Sequence, residues 1–185
     1  SYAGFDAQKG IITLLYRVVG KGTEIMTRLV PGDTLDCLGP LGEPFVTSKN
    51  MLLVGGGVGI APMLCIASHL KEGEEAQIIL GFRNESETFW ADLFKDTPVK
   101  VHITTDDGSV GAKGFPTAIM PELINGNTFT SVMTCGPTPM MKGVAQVAKD
   151  LNVPCQVSLE ERMGCGTGGC LGCACDGAGG KRYKV

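Results

Sequence analysis

Met51-Leu52-Leu53-Val54-Gly55-Gly56-Gly57-Val58-Gly59-Ile60-Ala61-Pro62 is the stretch that decides the fold of this 185-residue chain. Its first four residues are apolar and predict a buried strand, and the glycines predict a tight exit from it. Pro62 suits the first turn of a helix, where its missing N–H costs nothing. Met63, Ile66, Ala67 and Leu70 then recur at helical spacing, which gives the helix one face to lay on a sheet. In such a strand-turn-helix, glycine lets backbone approach a phosphate closely, and the helix start offers unpaired N–H groups. The loop departs from the ordinary dinucleotide fingerprint, because Ala61-Pro62 replaces the last glycine of G-x-G-x-x-G. A Gly-rich turn without ligand is an equal alternative when the loop is taken alone.

Outward from this unit, strands are predicted at residues 51–54, 77–82, 100–104, 131–135 and 156–159. Helices are predicted at residues 61–72, 87–95, 115–123 and 138–150. Strand and helix in alternation specify an α/β fold with a parallel sheet and crossover helices. Ahead of it, residues 11–19 read as a strand ended by Gly20-Lys21-Gly22, with Thr23 capping a helix over 24–30 and a further strand over 34–38. That opening is β-rich but holds too few strands to close a core, so further strands of the same domain are expected before Ser1. After Glu160 regular order gives way to a Gly/Cys-rich stretch. The expected domains are therefore residues 1–48, 49–160 and 161–185.

Composition narrows the function classes. With 43% hydrophobic and 19% charged residues the chain is an ordered globular protein rather than a disordered one. A formal charge of -3 leaves no electrostatic footprint for nucleic acid or an anionic membrane surface. No apolar run approaches the ~20 residues that cross a bilayer, and Ser1-Tyr2-Ala3-Gly4 lacks the pattern of a signal peptide, so a soluble, cytoplasmic protein is expected. Of the 8 cysteines, Cys155, Cys165, Cys170, Cys173 and Cys175 cluster near the end. Without any sign of secretion, such a cluster points to metal rather than disulfides.

The most specific motif is Cys165-Gly166-Thr167-Gly168-Gly169-Cys170-Leu171-Gly172-Cys173. This is C-x4-C-x2-C, the spacing of the plant-type 2Fe-2S loop. A structural zinc is the alternative, although zinc ligands usually come as two separated pairs. Cys175 follows Cys173 too closely to be a good fourth ligand. Cys135-Gly136-Pro137 ends the fourth α/β strand at the edge where open sheets place ligands, while Cys135 by itself is more often a small buried hydrophobe than a reactive group. Thr104-Thr105-Asp106-Asp107-Gly108-Ser109 ends the third, where paired carboxylates would repel an extra phosphate and so favour NAD over NADP; a solvated turn is the plainer reading. In Tyr16-Arg17-Val18-Val19-Gly20-Lys21-Gly22-Thr23, a strand delivers an arginine and then backbone amides and a hydroxyl, a combination able to hold a flavin's ring edge and diphosphate, although taken alone a strand followed by a capped helix is the plainer reading. His69 and His102 carry no assigned role, and Trp90, Met140 and Met141 read as core.

Together with Gly39-Pro40-Leu41-Gly42 and Glu160-Glu161-Arg162-Met163-Gly164-Cys165, these motifs resemble the ferredoxin-NADP reductase superfamily. Within it the chain is most similar to the electron-transfer subunits of class B, NAD-dependent dihydroorotate dehydrogenases. The resemblance implies part of an antiparallel FAD-binding β-barrel, then a parallel-sheet NAD-binding domain, then a small Cys-rich iron-sulfur segment. It implies that Tyr16, Arg17, Val18, Gly22 and Thr23 contact FAD, and that Gly57, Gly59, Ala61, Pro62, Asp106, Cys135 and Gly136 line the NAD site. Cys165, Cys170 and Cys173 would ligate a 2Fe-2S cluster. The partner implied is an FMN-containing catalytic subunit, in a heterotetramer, that oxidises dihydroorotate to orotate in pyrimidine biosynthesis. No acid-base residue of this chain is then required.

In that family the chain begins with further barrel strands and an Arg-Pro-x-Ser motif, and a fourth cysteine follows the third by about a dozen residues. Both are missing here, so truncation at both ends is expected, and with it a cofactor-poor protein when purified alone. Two other readings stand beside the favoured one. One is a paralogous NAD(P)H-dependent flavin and iron-sulfur reductase serving ferredoxin, sulfur compounds or hydrogenase. The other is a nucleotide-binding module with a structural zinc.

Overall fold

A computed structural model describes residues 1–185, the side chain of Ala178 excepted. The chain divides into two units, Ser1–Arg17 with Val46–Ser158, and Val18–Phe45 with Leu159–Val185.

The first unit is built on a six-stranded sheet. Its strands are β3 (Asn50–Gly56), β4 (Glu75–Phe82), β5 (Lys100–Thr105), β6 (Ala112–Lys113), β7 (Ser131–Cys135) and β8 (Cys155–Ser158), in the order β6-β5-β4-β3-β7-β8. Every pairing is parallel. The sheet centre is covered on both faces, so β3 reads as an unbroken apolar run with Met51 to Val54 at zero exposure. Helix α2 (Ile60–Ser68) follows β3, α3 (Met120–Gly126) precedes β7, and α4 (Thr138–Asp150) links β7 to β8. Leu52, Val54, Ile79 and Val132 on one sheet face pack with Met120 and Ile124 of α3 and with Met140, Met141, Val144 and Ala148 of α4.

An antiparallel hairpin, β1 (Tyr2–Asp6) and β2 (Ile11–Leu14), packs on α2. The His69 ring, just past α2, stacks on Phe5 at 4.3 Å between centroids, and its two nitrogens lie 2.8 and 2.9 Å from the carbonyls of Cys65 and Phe5. The strand expected over residues 11–19 stops at Leu14, because the Leu15 N–H donates to the Ser1 carbonyl and beyond it there is no partner strand among the described residues.

In the second unit, α1 (Lys21–Met26) starts earlier than expected. Thr23 is its third residue rather than its cap: its hydroxyl accepts from the N–H groups of Val19 and Gly20 and donates to the Gly20 carbonyl. Residues 34–38 form no strand; the Asp33 carboxylate accepts from the Val30 N–H and closes a turn just before them. The Cys-rich end holds more order than expected, a hairpin of β9 (Ala174–Asp176) and β10 (Arg182–Lys184). Two further expectations in the first unit are revised. Residues Glu85–Phe94 form a 3-10 helix, capped by the Asn84 side chain on the Ser86 N–H, where an α-helix was expected. The helix over 115–123 is a 3-10 turn, Pro116–Ala118, followed by α3.

Candidate functional site

From β3 the chain passes outward to β4, β5 and β6, then returns to β7 and β8 on the other side of β3. This reversal opens a crevice at the C-terminal ends of β3 and β7, the position at which open α/β sheets bind ligands. The register places Gly55 beside Cys135 at that edge.

Beyond the edge, the two loops press backbone on backbone. A Cβ on Gly59 would stand 2.3 Å from the Cys135 carbonyl oxygen and 2.5 Å from the Gly136 nitrogen. A Cβ on Gly136, at φ +152, would stand 2.8 Å from the Gly56 oxygen. Glycine is the residue that permits so close an approach. Gly57 to Gly59 form a 3-10 turn leading into α2, whose start carries no side-chain cap; the Ile60 N–H turns back onto the Gly57 and Val58 carbonyls. Gly57 is exposed there and Pro62 half-buried, whereas Ala61 is wholly buried and contributes through its backbone. Cys135 is 2% exposed.

The loop after β5 is tied to the loop after β4. The Asp106 N–H donates to the Phe82 carbonyl, and the Glu85 N–H to the Ser109 hydroxyl. That hydroxyl donates in turn to the Asp107 carboxylate at 2.6 Å, and with the Ser109 amide it holds the Asp107 carboxyl below its ordinary value. Asp106 stays exposed on the same sheet edge as Gly57.

In the second unit the cysteine loop turns its amides onto sulfur. The Cys165 Sγ accepts from the N–H groups of Gly169 and Cys170 at 3.2 and 3.4 Å, and the Cys170 Sγ from that of Gly172 at 3.5 Å. Hydrogen bonds from Cys170 and Thr167 draw the Cys165 thiol down to about 5, toward the thiolate that binds metal. A Cβ on Gly164 would meet the Cys170 Sγ at 3.2 Å. Cys173 is buried and Cys175 half-buried on β9. Among the described residues no three His, Cys, Asp or Glu side chains converge closely enough to hold a metal ion. Of the three proposed ligands, Cys165 and Cys170 are hydrogen-bonded to one another, while the three together do not converge.

Residues 53–146 match the family described as the oxidoreductase NAD-binding domain. The chain is 42% identical to the dihydroorotate dehydrogenase B (NAD(+)) electron transfer subunit of Caldanaerobacter subterraneus over 92% of this chain and 67% of that protein. Subunits of the same description from Fusobacterium nucleatum and Bacillus pumilus are 37% and 38% identical, each over 95% of this chain and over 69% and 68% of their own length. The chain belongs to this family of electron transfer subunits. It spans about two thirds of the length of these relatives. A solved chain of the NADH-dependent reduced ferredoxin-NADP oxidoreductase, described in connection with flavin-based electron bifurcation, superposes with a TM-score of 0.83. It is 39% identical, over 94% of this chain and 64% of that one.

As a member of the dihydroorotate dehydrogenase B electron transfer family, the chain is an oxidoreductase subunit with an NAD-binding α/β domain. Gly57, Gly59, Cys135 and Gly136 all lie at the β3/β7 crevice of that domain. Tyr16 and Arg17 end the first unit's leading segment, and Val18, Gly22 and Thr23 open the second. No helix among the described residues is long and apolar enough to cross a membrane. Sequence reading passed over Gly56, whose Cβ would lie 2.6 Å from the Met140 sulfur. Its place as the last residue of a buried strand was the available signal.

Proposed function

We propose that the chain carries electrons between NAD and an FMN-containing catalytic subunit that oxidises dihydroorotate to orotate in pyrimidine biosynthesis. The observation that carries this reading is the pairing of a backbone-tight nucleotide crevice at β3 and β7 with a cysteine loop whose amides face sulfur, in a chain of this family. FAD and a 2Fe-2S cluster, when bound, would supply hydride exchange with nicotinamide and one-electron transfer respectively. In the NAD site, Gly57, Gly59, Ala61, Pro62, Cys135 and Gly136 admit and hold the dinucleotide's backbone, and Asp106 sets a negative charge on the same edge that disfavours an additional phosphate. Tyr16, Arg17, Val18, Gly22 and Thr23 would contact FAD. Cys165, Cys170 and Cys173 would hold the cluster: amides already directed at two sulfurs, and glycine where a Cβ would crowd Cys170, fit a group that needs its thiolates hydrogen-bonded. Residues 1–48, 49–160 and 161–185 would serve FAD, NAD and the cluster in turn, and the assembly would be a heterotetramer in the cytoplasm.

The test is to isolate the chain in complex with its catalytic partner and record anaerobic visible spectra with iron, sulfide, zinc and flavin analysis. Flavin and 2Fe-2S absorption that bleaches on NADH, and NADH oxidation dependent on orotate, are expected. The 0.83 superposition favours one second reading, a subunit of an NADH-dependent ferredoxin reductase; NADH oxidation that responds to ferredoxin but not to orotate would select it. A colourless protein containing zinc would select the nucleotide-binding module instead.

A further inference from the structure

Met140 stands in the first turn of α4 and is 6% exposed, and by pattern it is ordinary core. Its sulfur, however, lies 2.6 Å from the place a Gly56 Cβ would take, and its terminal methyl 2.8 Å from the place a Gly136 Cβ would take. The Pro137 ring closes the same spot at 3.2 Å from the Gly56 position. The thioether therefore fills the space that two glycines leave, one on each of the loops that meet at the nucleotide crevice. An unbranched, polarisable side chain suits so irregular a gap. Val144, one helical turn further on, is also fully buried in the same cluster but is not among the closest neighbours of either glycine.

We propose that Met140 is a positioning residue of the NAD site: it wedges beneath the crossing of the Gly55–Gly59 and Cys135–Pro137 loops and fixes their separation. The side chain touches no nucleotide itself. It sets how the Gly55–Gly59 backbone lies against the Cys135-Gly136 backbone at the edge where the dinucleotide binds. Removing it leaves both loops room to shift and rotate, because neither Gly56 nor Gly136 has a side chain to resist. The inference rests on the crevice being the NAD site.

The test is NADH affinity, by equilibrium titration, of the unaltered chain and of Met140→Ala, Met140→Leu and Val144→Ala, each at a temperature well below its own melting point. Both alanine variants lose core volume and melt earlier. A Kd raised about tenfold or more for Met140→Ala (about 1.4 kcal/mol), restored to within about threefold by Met140→Leu and unchanged in Val144→Ala, is the expected pattern. An unchanged Kd in Met140→Ala, or an equal loss in Val144→Ala, overturns the positioning role. Failure of the unaltered chain to bind NADH overturns the reading of the crevice, and the inference with it.

Discussion

Replacing Gly59 by alanine tests the crevice most directly. The added methyl would stand 2.3 Å from the Cys135 carbonyl oxygen, about 1.1 Å short of the 3.4 Å at which ordinary contact begins. Neither side can yield cheaply. Cys135 is locked in β7 by its register with Gly55 and Ser158, and Gly59 opens the turn into α2. Overpacking of this kind costs roughly 1–3 kcal/mol, which for a chain of this size lowers Tm by about 2–4 °C per kcal/mol, so a fall of about 2–12 °C is expected. The separation of the loops also changes by up to about 1 Å, enough to cost at least tenfold in NADH affinity if their backbones hold the dinucleotide. The assay is NADH titration beside thermal melting, with Gly73→Ala as control. Gly73 has φ +80 but nothing within 4 Å of its Cβ position, so its substitution lowers Tm through backbone strain alone and leaves NADH affinity intact. A Gly59→Ala protein that binds NADH like the parent, or a Gly73→Ala protein that loses affinity equally, would refute the reasoning.

Three further outcomes are expected. Thr104 is wholly buried with a hydroxyl that meets no hydrogen-bond partner among the described residues; Thr104→Val keeps the shape and removes that penalty, so Tm should rise, and a fall in melting experiments would contradict the account. Burial first, and then the Lys100 charge, hold the His102 imidazole below its ordinary value of 6.5. A folded value lower than the unfolded one means stability that is present above about 6.5 and lost as pH falls through the folded value; urea midpoints compared at pH 7.5 and 5 should drop less in His102→Gln than in the parent, and equal slopes would count against it. Cys170→Ser should abolish iron in the reconstituted protein, while Cys37→Ser, at an exposed cysteine outside the loop, should leave it; iron analysis that finds the reverse would remove the loop from the metal site.

Elements whose own residues settle their partners were legible in the sequence. Residues 138–150 form α4 as expected because Pro139 suits a first turn and Met140, Met141, Val144 and Ala148 fall on one face. Residues 51–54 form the heart of β3 because four apolar side chains in a row suit a strand covered on both faces. What failed depended on partners that periodicity does not encode. Residues 15–19 and 34–38 have strand-like composition, but a strand exists only where another pairs with it. Two-residue β6 is too short to show a pattern, and β9 with β10 is defined by the pairing of Cys175 with Tyr183. At the site, Gly59 and Gly136 were legible through motif, whereas their mutual contact, and the thioether of Met140 beneath them, join residues about eighty positions apart.

Glycine serves two physical purposes in this chain, and the difference separates the two candidate sites. At the β3/β7 edge Gly56, Gly59 and Gly136 are places where a Cβ would strike backbone or the Met140 side chain, so what matters there is the rigid closeness of two loops already fixed by a parallel ladder. In the cysteine loop Gly166 takes a positive φ of +68, and Gly164 leaves room beside the Cys170 sulfur; what matters there is a backbone able to wrap and to turn its N–H groups onto thiolates. The crevice is thus set by the sheet itself, whose strand β3 has no exposure from Met51 to Val54, and would suit a dinucleotide that binds and leaves. In the cysteine loop Cys165 and Cys170 are hydrogen-bonded to one another, but the three cysteines do not converge. A resident group that draws in Cys173 would supply folding energy to that segment as well as function. Metal removal should therefore loosen the second unit and leave NADH binding by the first intact.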